Sequence, residues 1–282
     1  MTIVARVFSV TLPDLPDVAD HAIAGKATVP AVELLDLLLK TVTANSTRGD
    51  AVSSPLAMTN ASFPRFLPAA EVPHCAFAVT LEDRTAGTQA TLTSRISLAG
   101  GIHRTRTHAM VTVGGSCPET PPPPALTHDF ELPAERAYSD LIPFGPRFRN
   151  LRGPVRLGRH GAEGTVHSPE PARSNPSLAG CPYLLDSAMH LACLWGQRYA
   201  GYVAYPTGFA ARTIAFATAQ GKRRCIVVPR SVEPRRMSCD LWLMDEEGRM
   251  CDAVVGLAMA PLANGALPPR WVAHGESPLH LP

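Results

Sequence analysis

No two of the seven cysteines form a CxxC pair, and their number is odd. A disulfide framework and a zinc knuckle are therefore excluded as organising devices, and the thiols read as reduced and mostly buried. No apolar run is long enough to cross a bilayer; the longest, around AVVGLAMAPLA, falls far short. The N-terminal MTIVARVFSVTLPDLPD lacks a signal-peptide core, because Arg6 and Pro13 bound a short alternating segment, so a cytoplasmic location with no membrane partner is expected. Charge of one sign is not in excess: 26 Lys and Arg against 24 Asp and Glu leave a net +2, which gives no reason to expect nucleic acid. Several familiar loops are also missing. GGSCP (114–118) has no closing glycine for a nucleophile elbow, and GRHGAEG (158–164) spaces its glycines wrongly for a dinucleotide loop. His103 and His108, five apart on one strand, point to opposite faces and make a poor ligand pair. These three features are assigned to turns and surface.

What is present is a soluble globular composition, 45% hydrophobic and 18% charged, in a chain long enough to bury a substantial core. It breaks at CPETPPPPALTHD, because four consecutive prolines join neither a central strand nor a helix interior. The organisation read from this is an N-terminal unit over 1–116, a proline-rich linker over 117–129 and a C-terminal unit over 130–282. Each side holds one strongly apolar helix candidate, about Ala31 to Val42 and then PYLLDSAMHLACLWGQRYAG, followed by period-two strand segments. DLWLMDEEGRMCDAVVGL reads as a hairpin with Glu247 and Gly248 at its turn. One helix and several following strands, occurring twice, imply an internal duplication and an α+β fold in which each antiparallel sheet wraps its own buried helix.

The stretch HAIAGKATVP places His21, Gly25 and Pro30 directly before the first helix. Gly25 permits a tight turn and a close approach of its amide to a ligand, and Pro30 suits a helical first turn. Amides near a helix N-terminus favour a carbonyl oxygen that becomes anionic, and His21 beside them could take a proton from the adjacent carbon. In the second helix Asp186 interrupts an apolar run and His190 lies four residues on, on the same face. Burial raises a carboxyl's pKa, so Asp186 is expected to hold a proton and act as a general acid. Two ligands without a third do not make a metal site, and no metal is expected. A base from one half facing an acid from the other is what elimination of water requires.

Together these segments resemble the dehydratase domains of polyketide synthases, double-hotdog proteins related to fatty acid dehydratases. HAIAGKATVP matches that family's HxxxGxxxxP motif. PFGPRF, with Phe144, Gly145 and Pro146, is similar to its YGPxF motif, and DSAMH fits its DxxxQ/H motif. YVAYPTGFAA occupies the place of its LPFS-like segment. The resemblance implies a hydro-lyase acting without metal or redox cofactor on β-hydroxyacyl thioesters carried on phosphopantetheine. His21 would be the base, Asp186 the acid, His190 the partner that orients Asp186, and the Gly25 amide the donor to the thioester carbonyl. Phe144 departs from the family's tyrosine and removes a hydroxyl near the site; Ala31 and Tyr205-Pro206-Thr207 depart as well. The implied partners are an acidic acyl carrier protein and polyketide synthase components, with a homodimer compatible with the family. Arg147, Arg149, Arg152 and Arg156 offer a basic rim to dock the carrier. The chain begins with Met just before the first strand, so a discrete protein acting in trans is expected. Two other outcomes stay open: an enoyl isomerase or cyclase on the same scaffold, and a non-catalytic binding module.

Overall fold

The alternating segments fold as antiparallel strands in a computed structural model that describes residues 5–45, 55–97, 102–116, 119–169, 179–216, 221–262 and 267–273. In the first half, β1 (Ala5–Val10) leads into the two-residue strands β2 (Ala22–Ile23) and β3 (Lys26–Ala27) and then helix α1 (Ala31–Asn45). β4 (Leu56–Ser62), β5 (Ala76–Arg84), β6 (Gly87–Ser97) and β7 (His103–Val113) follow. In the second half, β8 (Phe130–Pro133), β9 (Leu151–Gly158) and β10 (Gly161–His167) precede helix α2 (Pro182–Trp195). After it come β11 (Ala204–Ile214), β12 (Lys222–Glu233), β13 (Arg236–Met244) and β14 (Met250–Pro261). Period two is literal in β5, where Phe77, Val79 and Leu81 are buried and the residues between them are partly open.

Strand order carries the duplication. The first half runs β1-β5-β6-β7-β4 and the second β10-β12-β13-β14-β11, with β9 and β8 added beyond β10. In each, the strand before the helix pairs with the second strand after it, and the first strand after the helix takes the far edge. Those far edges, β4 and β11, pair with each other antiparallel, Ala57 opposite Thr213 and Ala61 opposite Phe209. The two expected sheets are thereby joined into one twelve-stranded sheet, which removes two unpaired edges from solvent.

Leu34, Leu35, Leu38, Leu39 and Val42 bury one face of α1, while all fourteen residues of α2 are buried, as befits a helix apolar on nearly every side. The helices pack against each other inside the curve of the sheet. Both carry the triplet Leu-Leu-Asp, at 34–36 and 184–186. Asp36 pairs with Lys40 one turn on at 2.8 Å, beside a second, polar pocket that also takes in Asp17, Glu33 and Tyr183. No helix among the described residues is long and apolar enough to cross a membrane.

The described part of the proline segment does not enter the sheet. It lies across the outer face of the second half, where the Trp242 indole N–H donates to the Pro121 carbonyl at 3.0 Å and Leu126 packs on Ile226, Trp242 and Ala253. Cys117 and Pro118 of that segment lie outside the described residues. Four of the six described cysteines, Cys193, Cys225, Cys239 and Cys251, are buried.

Candidate active site

His21 opens the small β2–β3 hairpin. At its tip Ala24 and Gly25 both have positive φ, 50° and 75°, a conformation that glycine adopts without strain. The Thr28 amide donates to the His21 carbonyl at 2.9 Å, closing the hairpin, and His21 Nδ1 lies 2.7 Å from the Thr28 carbonyl oxygen. A carbonyl only accepts, so Nδ1 carries the ring proton and Nε2 keeps a lone pair. Pro30 then starts α1, its carbonyl accepting the amides of Glu33 and Leu34.

That lone pair faces the second half. His21 Nε2 is 3.9 Å from Asp186 Oδ1, and Asp186 Oδ2 is 2.9 Å from His190 Nε2 in a contact off the axis of the ring N–H. All three side chains are buried. Behind His190 stands Tyr138, from the helical turn ahead of the FGPRF motif. Its phenol oxygen accepts the amides of Asn150 and Leu151, each at 3.0 Å, and lies 3.2 Å from His190 Nδ1. With two donors already aimed at the oxygen, the single phenol proton goes to Nδ1, which leaves the His190 proton on Nε2, toward Asp186. Burial pushes the Tyr138 phenol up to about 12, so the donor persists across the physiological range.

Burial lowers the pKa of His21, and Asp186 offsets this only in part, so the imidazole stays neutral and able to take a proton. Asp186 corrects the expectation drawn from burial alone. Burial pushes its carboxyl up, but His190 and then His21 together pull it further down, and it ends below the ordinary carboxylate range.

The FGPRF motif completes the enclosure. The Phe144 ring sits 4.6 Å from that of His21 and 4.9 Å from that of His190, and Phe148 lies 5.0 Å from His21. The Gly145 amide donates to the Asp20 carbonyl at 2.7 Å, and the Arg147 amide to Asp20 Oδ2 at 2.9 Å. A Cβ at Gly145 would come within 2.2 Å of Asp20 Oδ1, so only glycine fits. Pro146 begins the short 3-10 turn that carries Phe148. Asp20 thus fastens the motif of one half to the residue before the histidine of the other.

His21, Phe144, Asp186 and His190 line a cavity of about 380 Å³ whose walls are mainly apolar, among them Leu34, Leu67, Met189 and Val203. Tyr205, its ring tilted against that of the exposed Phe66 at 4.5 Å, and the exposed Arg65 stand at its rim. Gly25 is exposed at the hairpin tip and is not among the lining residues, though Ala24 and Ala31 are; what Gly25 supplies there is the turn. None of the four predicted docking arginines lines the cavity. Arg147 pairs with Asp17 and Arg156 with Glu131, both at 2.9 Å, whereas Arg149 bonds the Phe144 carbonyl and Arg152 those of Arg149 and Leu151. His108, assigned to the surface from sequence, is instead buried and lines the cavity. Tyr138, Asp20 and His108 all escaped sequence reasoning.

A family model described as the polyketide synthase dehydratase N-terminal domain matches residues 123–269, a span that takes in Tyr138, Phe144, Asp186 and His190 but not His21. No curated protein sequence matches significantly. Among solved structures, the dehydratase domain of the polyketide PpsC from Mycobacterium tuberculosis aligns with a TM-score of 0.70 at 21% identity, over 92% of this chain and 92% of that one. The dehydratase domain from the CurJ module of curacin polyketide synthase aligns at 0.69 and 17% identity, over 91% and 90%. GphF dehydratase 1 aligns at 0.68 and 17% identity, over 91% and 93%. The fold shared with these domains is the double hotdog.

Proposed function

The chain belongs to the polyketide synthase dehydratase family, and on that premise we propose that it removes water from a β-hydroxyacyl thioester to give the α,β-enoyl thioester, with His21 as base and Asp186 as acid. The observation that carries this reading is the pair itself: an imidazole lone pair and a carboxyl oxygen 3.9 Å apart, one from each half, in a buried apolar cavity. His21 Nε2 takes the α-proton, the C–H electron pair becomes the new double bond, and the β-hydroxyl leaves with the proton of Asp186. His21 is then protonated and Asp186 ionised. Return of that proton across the gap resets the pair, so the net change is loss of one water. The starting form, with the proton on Asp186 and none on Nε2, is one arrangement of a single shared proton, and the rate follows the population of that form.

The thioester carbonyl is assigned to the first turn of α1, where Ala31 lines the cavity and the leading amides have no helical carbonyl to bond. Phosphopantetheine on an acidic carrier protein is the proposed vehicle for the acyl chain. Arg149 and Arg152, which among the described residues bond backbone carbonyls and no carboxylate, and Arg65 at the rim are the cations suited to receive it.

The test is a mass-resolved assay of the purified protein with a panel of 3-hydroxyacyl thioesters, beside His21→Ala and Asp186→Asn. Loss of one water by the wild type, reduced at least about a hundredfold in each variant, is expected. Shifted double bonds or ring closure on enoyl substrates, without water loss, would transfer the same pair to isomerase or cyclase chemistry. No turnover on carrier-bound substrate would leave a binding module.

A further inference from the structure

The cavity holds a third histidine that the elimination does not use. His108, on β7, is 1% exposed and sits where the β6–β7 ladder is interrupted: Leu92 pairs with Ala109 and Thr93 with Thr107, leaving His108 as the extra residue of a bulge. A bulge turns a side chain out of strict alternation, and here the successive residues His108 and Ala109 are both buried. On β6, Ser94 shares the buried face of Ala90 and Leu92, and its hydroxyl meets His108 Nε2 at 2.7 Å.

This is the Ser94 hydroxyl's one side-chain hydrogen bond, so its proton goes to Nε2 and the neutral ring carries its own on Nδ1. Among the described residues the buried Nδ1 has no partner in full hydrogen-bond geometry; the Arg65 carbonyl lies near enough to favour a proton on the ring. A buried donor without an acceptor is costly, and a cavity that keeps one is suited to a ligand that brings the acceptor. The neighbouring lining is apolar, with Phe63 and Leu67 before and after Arg65 in sequence. The charges acting on His108 are those of Glu71, Arg106 and Arg65, whereas Asp186 and His190 act on His21, so the two rings have different charged neighbours within the cavity.

We infer that His108 is a substrate-recognition residue whose Nδ1–H donates a hydrogen bond to a carbonyl or hydroxyl oxygen of the bound thioester, away from the reacting carbons. The identity of the ligand as a thioester rests on the dehydratase reading. Two parts of such a ligand carry the required oxygen: a keto or hydroxyl group further along the acyl chain, and an amide carbonyl of the pantetheine arm.

Calorimetric binding of stable amide analogues of β-hydroxyacyl pantetheine tests this without requiring turnover. Each analogue is made with and without a ketone along the chain, and each on the full arm and on an arm shortened by one amide. Removing the oxygen that His108 reads should weaken wild-type binding about tenfold. The same removal should have little effect in His108→Phe and a reduced effect in Ser94→Ala, where the ring proton is no longer fixed. The arm of the panel that responds identifies the source of the oxygen.

Equal discrimination by wild type and His108→Phe against every analogue would overturn the inference. Were His108→Phe not to fold, undiminished discrimination in Ser94→Ala would overturn it alone. Wild-type turnover of the parent thioesters is measured separately. Discrimination without turnover would sink the dehydratase reading and keep the recognition site; turnover with unchanged discrimination would do the reverse.

Discussion

Replacing Tyr138 with Phe would leave the amides of Asn150 and Leu151 without their acceptor and His190 Nδ1 without its donor. Stability should fall by about 1–3 kcal/mol, the ordinary cost of buried donors left unpaired. The ring proton of His190 would then be free to move to Nδ1, turning a lone pair toward Asp186 and favouring the protonated carboxyl. If Tyr138 positions the acid through His190, the alkaline limb of the kcat/KM profile moves to higher pH in Tyr138→Phe. A tyrosine that merely filled space would lower stability and leave the limb where it was. Asp186 and His190 were legible because an i, i+4 pair in an apolar helix is conspicuous. Tyr138 was not, because its partners are two backbone amides and an imidazole far along the chain, a relation with no periodicity. The direction of the Asp186 shift was missed because burial was weighed without the pull of His190 one turn on, to which His21, brought from the other half, adds.

Between elements, the contact of Gly145 with Asp20 couples the two halves beside the site. Gly145→Ala drives a methyl into the Asp20 side chain and must displace either the FGPRF segment or the residue before His21. The expected result is a drop of several degrees in Tm with a loss of kcat. Asp20→Gly in the same chain removes most of the obstruction and should recover part of the Tm; no recovery would locate the damage elsewhere. The β13–β14 hairpin was readable from its charged turn, and both long helices from their apolar runs. Two features of the sheet were not. Pairing of β4 with β11 joins edges about 150 residues apart, and the bulge at His108 breaks the parity from which that residue's direction was inferred. Both depend on partners rather than on local pattern.

For the molecule as a whole, two buried histidines make stability depend on pH. Burial lowers His21 and His108 below the ordinary value of 6.5. As pH falls through about 6.5 toward 5, the unfolded chain takes up protons that the folded chain refuses, so stability declines with pH in that window. Asp186, held below 3.8, adds its own loss only at lower pH still. Denaturant midpoints at pH 7.5, 6.5 and 5.5 should decrease in that order, and a flat series would contradict neutral burial of the two rings.

The shared triplet of the two helices bears on how this architecture came to work once rather than twice. Where α2 sets an imidazole one turn after its aspartate, α1 sets an ammonium, with Lys40 2.8 Å from Asp36. An ammonium supplies charge but does not readily trade protons near neutral pH, as an imidazole does. The polar pocket beside Asp36 thus presents, in the first half, a carboxylate with an ammonium one turn on, where the second half presents a carboxylate with an imidazole. Arg147, which also lines that pocket, bonds Asp17 at 2.9 Å and so ties the FGPRF segment of one half to the other.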